Sequence, residues 1–286
     1  MLPKKIHLIW VGSTLPNESH RPYRNNVQEW KKLNPKWEVN LWMSSEDVRP
    51  LDWTYIQKWA VRNEIQINSL DEIYSHPILK EWMEQESYYK RYACVSDMVR
   101  VLVLEEFGGV YVDTDVRPST FKKKPLIMGA GFCIEYSKSQ LRSVIPHAIA
   151  MMPDHPIASA CIEHIEANFQ LLKGFNSDWR HSDEPALKYA ATLSVTGAIY
   201  TMLFQRISGL ITDKKSLSSF HFPARLHHEE HNSWISDKVK TTIKQHWHPT
   251  DFIKAQTDWV KRQPPIVELE QLQSSYRDCI FNGDEQ

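Results

Sequence analysis

Two aspartates separated by one threonine, Asp113 and Asp115, follow directly on an apolar run, Val110-Tyr111-Val112, which itself follows a Gly-Gly pair. Carboxylates at the end of a buried strand are costly to desolvate unless something positive lies against them. Two hard oxygen donors in such a place suit magnesium or manganese, with nucleotide phosphates filling the remaining coordination positions. Upstream, Asp97 and Arg100 are spaced i, i+3 on a helix candidate and so share a face. Period-two alternation puts Tyr111, Asp113 and Asp115 on one face if the strand stays extended. The spacing therefore predicts a helix and a strand converging a carboxylate, a guanidinium, a phenol and two more carboxylates. A DxD tripeptide taken singly is a weak signal, and Asp97 with Arg100 has the blander reading of a surface ion pair. What lifts both is context: an apolar helix runs straight into the strand that ends in the motif.

The elements that must position these groups are read from periodicity. Lys5–Val11 (KIHLIWV) predicts a first strand, Tyr23–Leu33 a helix with Val27, Trp30 and Leu33 inward and a stop at Asn34-Pro35, and Val39–Trp42 a second strand. This βαβ opening predicts an α/β chain built on a doubly wound, Rossmann-like sheet flanked by helices. Residues 54–84 read as a helical insertion, and Glu84–Phe107 as the longest helix, ended by Gly108-Gly109. Leu126–Tyr136 predicts one or two further strands, and helices are expected around 155–173 and 186–207. No linker or repeat divides the chain, so one domain over 1–286 is expected, with the loop-rich and helical region 208–286 completing the site.

The 286 residues are 42% hydrophobic, enough for a sizeable core. Lys plus Arg (34) nearly equals Asp plus Glu (35), so no global field favours nucleic acid and charge chemistry must be local. The four cysteines (Cys94, Cys133, Cys161, Cys279) lack CxxC spacing, which argues against a zinc ribbon or a disulfide framework and suits a reducing compartment. The start, MLPKKIHLIWVGSTLP, has no apolar stretch long enough for a signal peptide, and no run approaches the roughly 20 residues of a membrane helix. These features predict a soluble cytoplasmic protein. Trp247 and the basic Lys254–Arg262 segment raise a peripheral contact with the inner membrane face, against which stands simple packing of an amphipathic helix.

The string SDMVRVLVLEEFGGVYVDTDV (Ser96–Val116) resembles the signature of the DXD-containing sugar transferases. These include yeast α-mannosyltransferases, bacterial polysaccharide transferases and the catalytic domain of the clostridial large glucosylating toxins. Leu2–Trp10 (LPKKIHLIW), Trp30 with Asn34-Pro35 and Leu41-Trp42, Thr196-Gly197, and His231, Ser233 and Trp234 match further pieces in order, so the likeness spans roughly residues 2–235. It implies a GT-A fold, a nucleotide-sugar donor, a divalent metal (Mn2+ or Mg2+) and retention of anomeric configuration. By position, Trp10 would stack on the nucleobase, Asp97 and Arg100 would hold donor sugar hydroxyls, Tyr111 and Asp113 the nucleotide and its ribose, and Asp115 the metal directly. The stretch EEHNSW would place Glu229 and Asn232 near the metal beside Asp113 and Asp115, and Ser233 with Trp234 on the β-phosphate; Glu230 or His231 would take over with a shifted register. One departure is Pro146-His147 before Met152–Pro156, where the family often has an asparagine. The implied donor is a UDP-hexose or UDP-N-acetylhexosamine, with GDP-mannose open. The implied acceptor is a saccharide or lipid-linked oligosaccharide of surface polysaccharide (O-antigen or capsule) synthesis, and the alternative is an effector that modifies a host protein.

Two readings lie outside this class. His227–His231 (HHEEH) fits the inverted zincin pattern, which requires both histidines on one helix face, but Pro223 and Asn232-Ser233 bracket it as a loop. An aspartyl phosphatase would make Asp113 the nucleophile and Asp115 the acid, yet such motifs usually lie near the start of the chain. Gly129-Ala130-Gly131 is not a dinucleotide fingerprint, because Ile134 stands where the third glycine belongs.

Overall fold

A computed structural model describes residues 1–17, 22–46, 48–73, 77–88, 90–121, 126–127, 131–136, 144–173, 196, 207–208, 227–228, 250–276 and 280–281. The opening is the expected βαβ unit: β1 (Lys5–Trp10), α1 (Tyr23–Leu33) and β2 (Glu38–Met43). It continues through α2 (Pro50–Arg62), β3 (Ile65–Ser69), α3 (Pro77–Tyr88), α4 (Tyr92–Phe107) and β4 (Gly109–Val112). Short strands β5 (Val116–Arg117) and β6 (Leu126–Ile127) lead to β7 (Phe132–Tyr136), β8 (Val144–Met151) and helix α5 (Pro156–Lys173).

Six strands form one mixed sheet in the order β3-β2-β1-β4-β8-β7. β1, β2, β3 and β4 run parallel, whereas β8 is antiparallel to both β4 and β7. The chain steps outward from β1 to β3 and then returns to the other side of β1 for β4. The winding direction therefore reverses between β1 and β4, and in sheets wound this way ligands bind outside the carboxyl ends of the strands at that reversal. Trp10 ends β1 and Asp113 follows β4, so both stand at this crevice.

Alternation divides the core between the two faces. Ile6, Leu8, Val39, Leu41, Val110 and Val112 pack against Val27 and Trp30 of α1 and Ile56 of α2, while Ile9, Trp42, Tyr111 and Ile149 pack against α3, α4 and α5. α4 is buried nearly all round, from Cys94 through Leu104. A helix of that kind belongs inside a layered core, so Arg100, only 5% exposed, must find its countercharges internally. At the end of α4, Gly108 (φ 58°) turns the chain into β4, and a Cβ there would lie 2.6 Å from Pro153 Cδ.

Several expectations are revised. The 54–84 region is not wholly helical, since Ile65–Ser69 pairs in parallel with β2 and completes one sheet edge. The helix expected over Glu84–Phe107 is broken between α3 and α4, where Lys90 adopts φ 55° and buried Arg91 bonds to Glu86 across the corner. Leu33 is 37% exposed, not inward, because it occupies the final turn of α1. β8 had no counterpart in the sequence reading. Its Pro146 lies where the β7–β8 register shifts and beyond the last β4–β8 pair, Val112↔Ala148, so its missing N–H breaks no ladder. Cys94, Cys133 and Cys161 are buried free thiols, as small core residues would be. The helix Thr250–Arg262 buries Phe252, Gln256 and Val260, the packing arrangement, and no described helix is long and apolar enough to cross a membrane. The helix expected over 186–207 lies outside the described residues except at Thr196 and Ile207, the latter in a two-residue strand.

Candidate functional site

The convergence expected from spacing is present. On α4, Arg100 Nη2 lies 2.6 Å from Asp97 Oδ1, a pair far too buried for the surface ion pair of the blander reading. Because α4 runs antiparallel to β4 and packs on the face that carries Tyr111, the same guanidinium reaches over the Tyr111 ring (4.6 Å to its centroid) and comes to 3.7 Å from Asp113 Oδ1. Tyr111 and Asp113 share a strand face, and the Tyr111 hydroxyl donates to Asp113 Oδ1. Arg100 is thus a positive group against Asp113, where the sequence reading preferred a divalent ion to an arginine.

Asp115 does not continue the alternation. β4 ends at Val112, and the Val116 amide bonds back to the Asp113 carbonyl (3.0 Å), so Asp113-Thr114-Asp115 forms a turn that takes Asp115 off the Tyr111 face. Asn26 on α1 donates to the Thr114 carbonyl (3.0 Å) and ties that turn to the first helix.

Two further residues complete the cluster. Thr196 Oγ1 donates to Asp97 Oδ2 at 2.6 Å, giving the Thr196-Gly197 match a structural role. His147 on β8 places Nδ1 3.2 Å from Asp113 Oδ2, and its carbonyl accepts the Asp113 amide at 2.9 Å. Nothing in the sequence linked His147 to Asp113, because only the antiparallel β4–β8 pairing brings them together.

Charge is distributed unevenly across the cluster. Burial raises the Asp97 carboxyl above its ordinary range, against the opposing pull of Arg100 and Thr196. Burial would also raise Asp113, but Arg100, His147 and the Tyr111 hydroxyl outweigh it and hold this carboxyl down at about 2. Burial pushes the Tyr111 phenol well above its usual value, so it remains a hydrogen-bond donor. The crevice therefore presents a firmly ionised Asp113 beside a fixed guanidinium.

Trp10 terminates β1, partly exposed, tilted against Tyr23 (5.4 Å between rings) and pinned by its indole N–H to the Ser13 carbonyl at 2.7 Å. Its ring is held in place and partly exposed, as a stacking platform requires. The following loop is tied to α2 by Thr14 Oγ1 donating to Asp52 Oδ2 at 3.1 Å.

Glu229, Asn232, Ser233 and Trp234, with Glu230 and His231, lie outside the described residues. His228, which precedes Glu229, pairs antiparallel opposite Val116, the residue after Asp115. His227 and His228 are thus in extended strand, which does not give the helical spacing a zincin needs. Among the described residues no group of three or more His, Cys, Asp or Glu could hold a metal ion by itself. Two carboxylates on one turn, one of them ionised down to about 2, are hard oxygen donors that fit an ion completing its shell from phosphates.

Residues 21–129 match the glycosyltransferase sugar-binding region containing DXD motif, so the resemblance read from Ser96–Val116 holds. "Subversion of eukaryotic traffic protein A" of Legionella pneumophila is 24% identical over 227 residues, which are 77% of this chain and 34% of that protein. A "Toxin" of Photorhabdus asymbiotica is 26% identical over 230 residues, 76% of this chain and 7% of that protein. The chain spans 34% or less of the curated relatives it matches. Among solved structures, "PaToxG Glycosyltransferase" superposes with a TM-score of 0.57 at 19% identity, covering 85% of this chain and 84% of that one. The shared architecture is the expected GT-A fold.

Proposed function

We propose, for a chain that carries the glycosyltransferase sugar-binding region with its DXD motif, that the crevice between β1 and β4 transfers a sugar from a nucleotide-sugar donor to a hydroxyl of a protein, with retention of anomeric configuration. The observation that carries the transferase reading is the Asp97–Arg100–Asp113 cluster at the carboxyl edge of the sheet, where the winding reverses. UDP-hexose or UDP-N-acetylhexosamine is the donor we favour. The names of the relatives, one concerned with subversion of eukaryotic traffic and one a toxin, support the effector alternative over a saccharide or lipid-linked acceptor of O-antigen or capsule synthesis.

In this reading Trp10 stacks on the base, Tyr111 and Asp113 hold the nucleotide and its ribose, and Asp97 with Arg100 orients the sugar hydroxyls. A Mn2+ or Mg2+ ion would be held by Asp115 and Asp113 with Glu229 and Asn232, and when bound it offsets negative charge on the departing diphosphate, an effect commonly worth several kcal/mol. Ser233 and Trp234 contribute donors to the β-phosphate. The acceptor hydroxyl attacks the anomeric carbon from the face the diphosphate leaves, the new glycosidic bond forms as the sugar–phosphate bond breaks, and the hydroxyl proton passes to a phosphate oxygen. No protein nucleophile is required. The aspartyl-phosphatase alternative is disfavoured, since residues 21–129, which include the DxD, match the glycosyltransferase sugar-binding region.

The acceptor class is tested by incubating the chain with radiolabelled UDP-glucose, UDP-N-acetylglucosamine or GDP-mannose and either eukaryotic cell lysate or bacterial lipid-linked oligosaccharide. Label in a protein band supports the proposal. Label in the lipid fraction alone overturns the protein acceptor while leaving the transferase intact.

A further inference from the structure

We propose that His147 is a positioning residue for Asp113, locking one carboxylate oxygen from β8 so that the group presents a single orientation to the nucleotide. The inference rests on the transferase reading above. Asp113 stands one residue past the end of β4, where the chain leaves the strand for a turn. On one side Oδ1 accepts the Tyr111 hydroxyl and faces Arg100 Nη2 at 3.7 Å. On the other side, among the described residues, the neighbouring strand offers the partner, and there His147 supplies two contacts: its carbonyl takes the Asp113 amide (2.9 Å) and its Nδ1 sits 3.2 Å from Oδ2. The carboxylate plane is therefore fixed from both ends.

Without the imidazole the carboxylate can turn about Cβ–Cγ toward Arg100, closing the 3.7 Å gap and competing with the 2.6 Å bond that Arg100 makes to Asp97. Both donor-facing carboxylates would then shift together.

The geometry makes a discriminating set of variants available. Asparagine carries an amide nitrogen where His147 has Nδ1, glutamine carries it one bond further out near Nε2, and leucine fills similar space with no donor. Calorimetric titration with UDP, and in parallel with GDP, is carried out on wild type, H147N, H147Q and H147L, each with its thermal melt. His147→Asn is expected to bind within about threefold of wild type, while H147Q and H147L weaken by roughly tenfold or more, as for loss of a hydrogen bond to a charged group. Equal melting points for H147N and H147Q alongside split affinities separate positioning from stability. All variants binding like wild type, or H147N and H147Q weakening equally, overturns the positioning role alone. A wild-type chain that binds neither nucleotide overturns the transferase reading together with it.

Discussion

The two ends of β4, a strand of four residues, solve opposite problems. At its start, His7 Nε2 donates to the Gly108 carbonyl (3.0 Å) while Nδ1 accepts the Trp42 indole N–H (3.1 Å), among Trp42 and Phe107 rings. The bond accepted from Trp42 needs a neutral imidazole, and burial, far outweighing the Gly108 bond, depresses its pKa to about 3. At its far end Asp113 keeps its charge down to about 2 because Arg100, His147 and Tyr111 converge on it against the effect of burial. A fully buried imidazole (1% exposed) thus makes a neutral corner that fixes the backbone, and a carboxylate with 23% of its side chain exposed makes an ionised corner that can meet a ligand. Burial alone does not choose between them; the partner set does.

The comparison can be broken most sharply at Arg100. Replacing it with alanine leaves Asp97 and Asp113 facing each other without their shared cation, and a loss of about 3–5 kcal/mol, read by urea denaturation, is expected, with donor turnover abolished. A variant of wild-type stability would mean the charged corner is not held by its partners. At the neutral end, His7→Leu removes both bonds while keeping the site untouched. It should lower stability by roughly 2 kcal/mol yet leave UDP affinity within twofold, because the loss falls on Trp42 Nε1 and the Gly108 carbonyl.

Acid should address the neutral corner first. An imidazole with an unfolded pKa of 6.5 and a folded value of about 3 contributes stability that is complete above pH 6.5 and declines as pH falls through the window between them. The expected slope is up to about 1.4 kcal/mol per pH unit, and it should flatten in His7→Leu. The same slope in that variant would assign the acid loss to other groups. The smallest effect is expected at Trp10. Substitution by alanine should weaken UDP binding by about tenfold through lost stacking, with the melting point little changed. Unchanged affinity would remove Trp10 from the base site.

The sequence made much of this visible where chemistry follows local spacing. Asp97 and Arg100 meet because i, i+3 is helix geometry, Tyr111 and Asp113 because two is the strand period, and α1 keeps its bounds from Tyr23 to Leu33. What was hidden depends on long-range pairing. His147 is joined to Asp113 by an antiparallel register, and β8 was obscured by Pro146, which a bulge accommodates. β3 was absorbed into a helical reading because IQINS is short and flanked by helices. Asp115 left the expected face because the chain turns at Asp113, where no glycine or proline announces a turn.

In the proposed reaction the charged end of β4 binds and activates a nucleotide sugar with a divalent ion at Asp115. Hydrolysis of UDP-glucose, UDP-N-acetylglucosamine and GDP-mannose, measured with Mn2+, Mg2+ or EDTA on wild type and Asp115→Asn, tests it directly. Metal-dependent consumption of one donor, reduced on the order of a hundredfold or more in a folded Asp115→Asn, is the predicted result. An Asp115→Asn chain that turns over donor at the wild-type rate, or a wild type indifferent to EDTA, would contradict it.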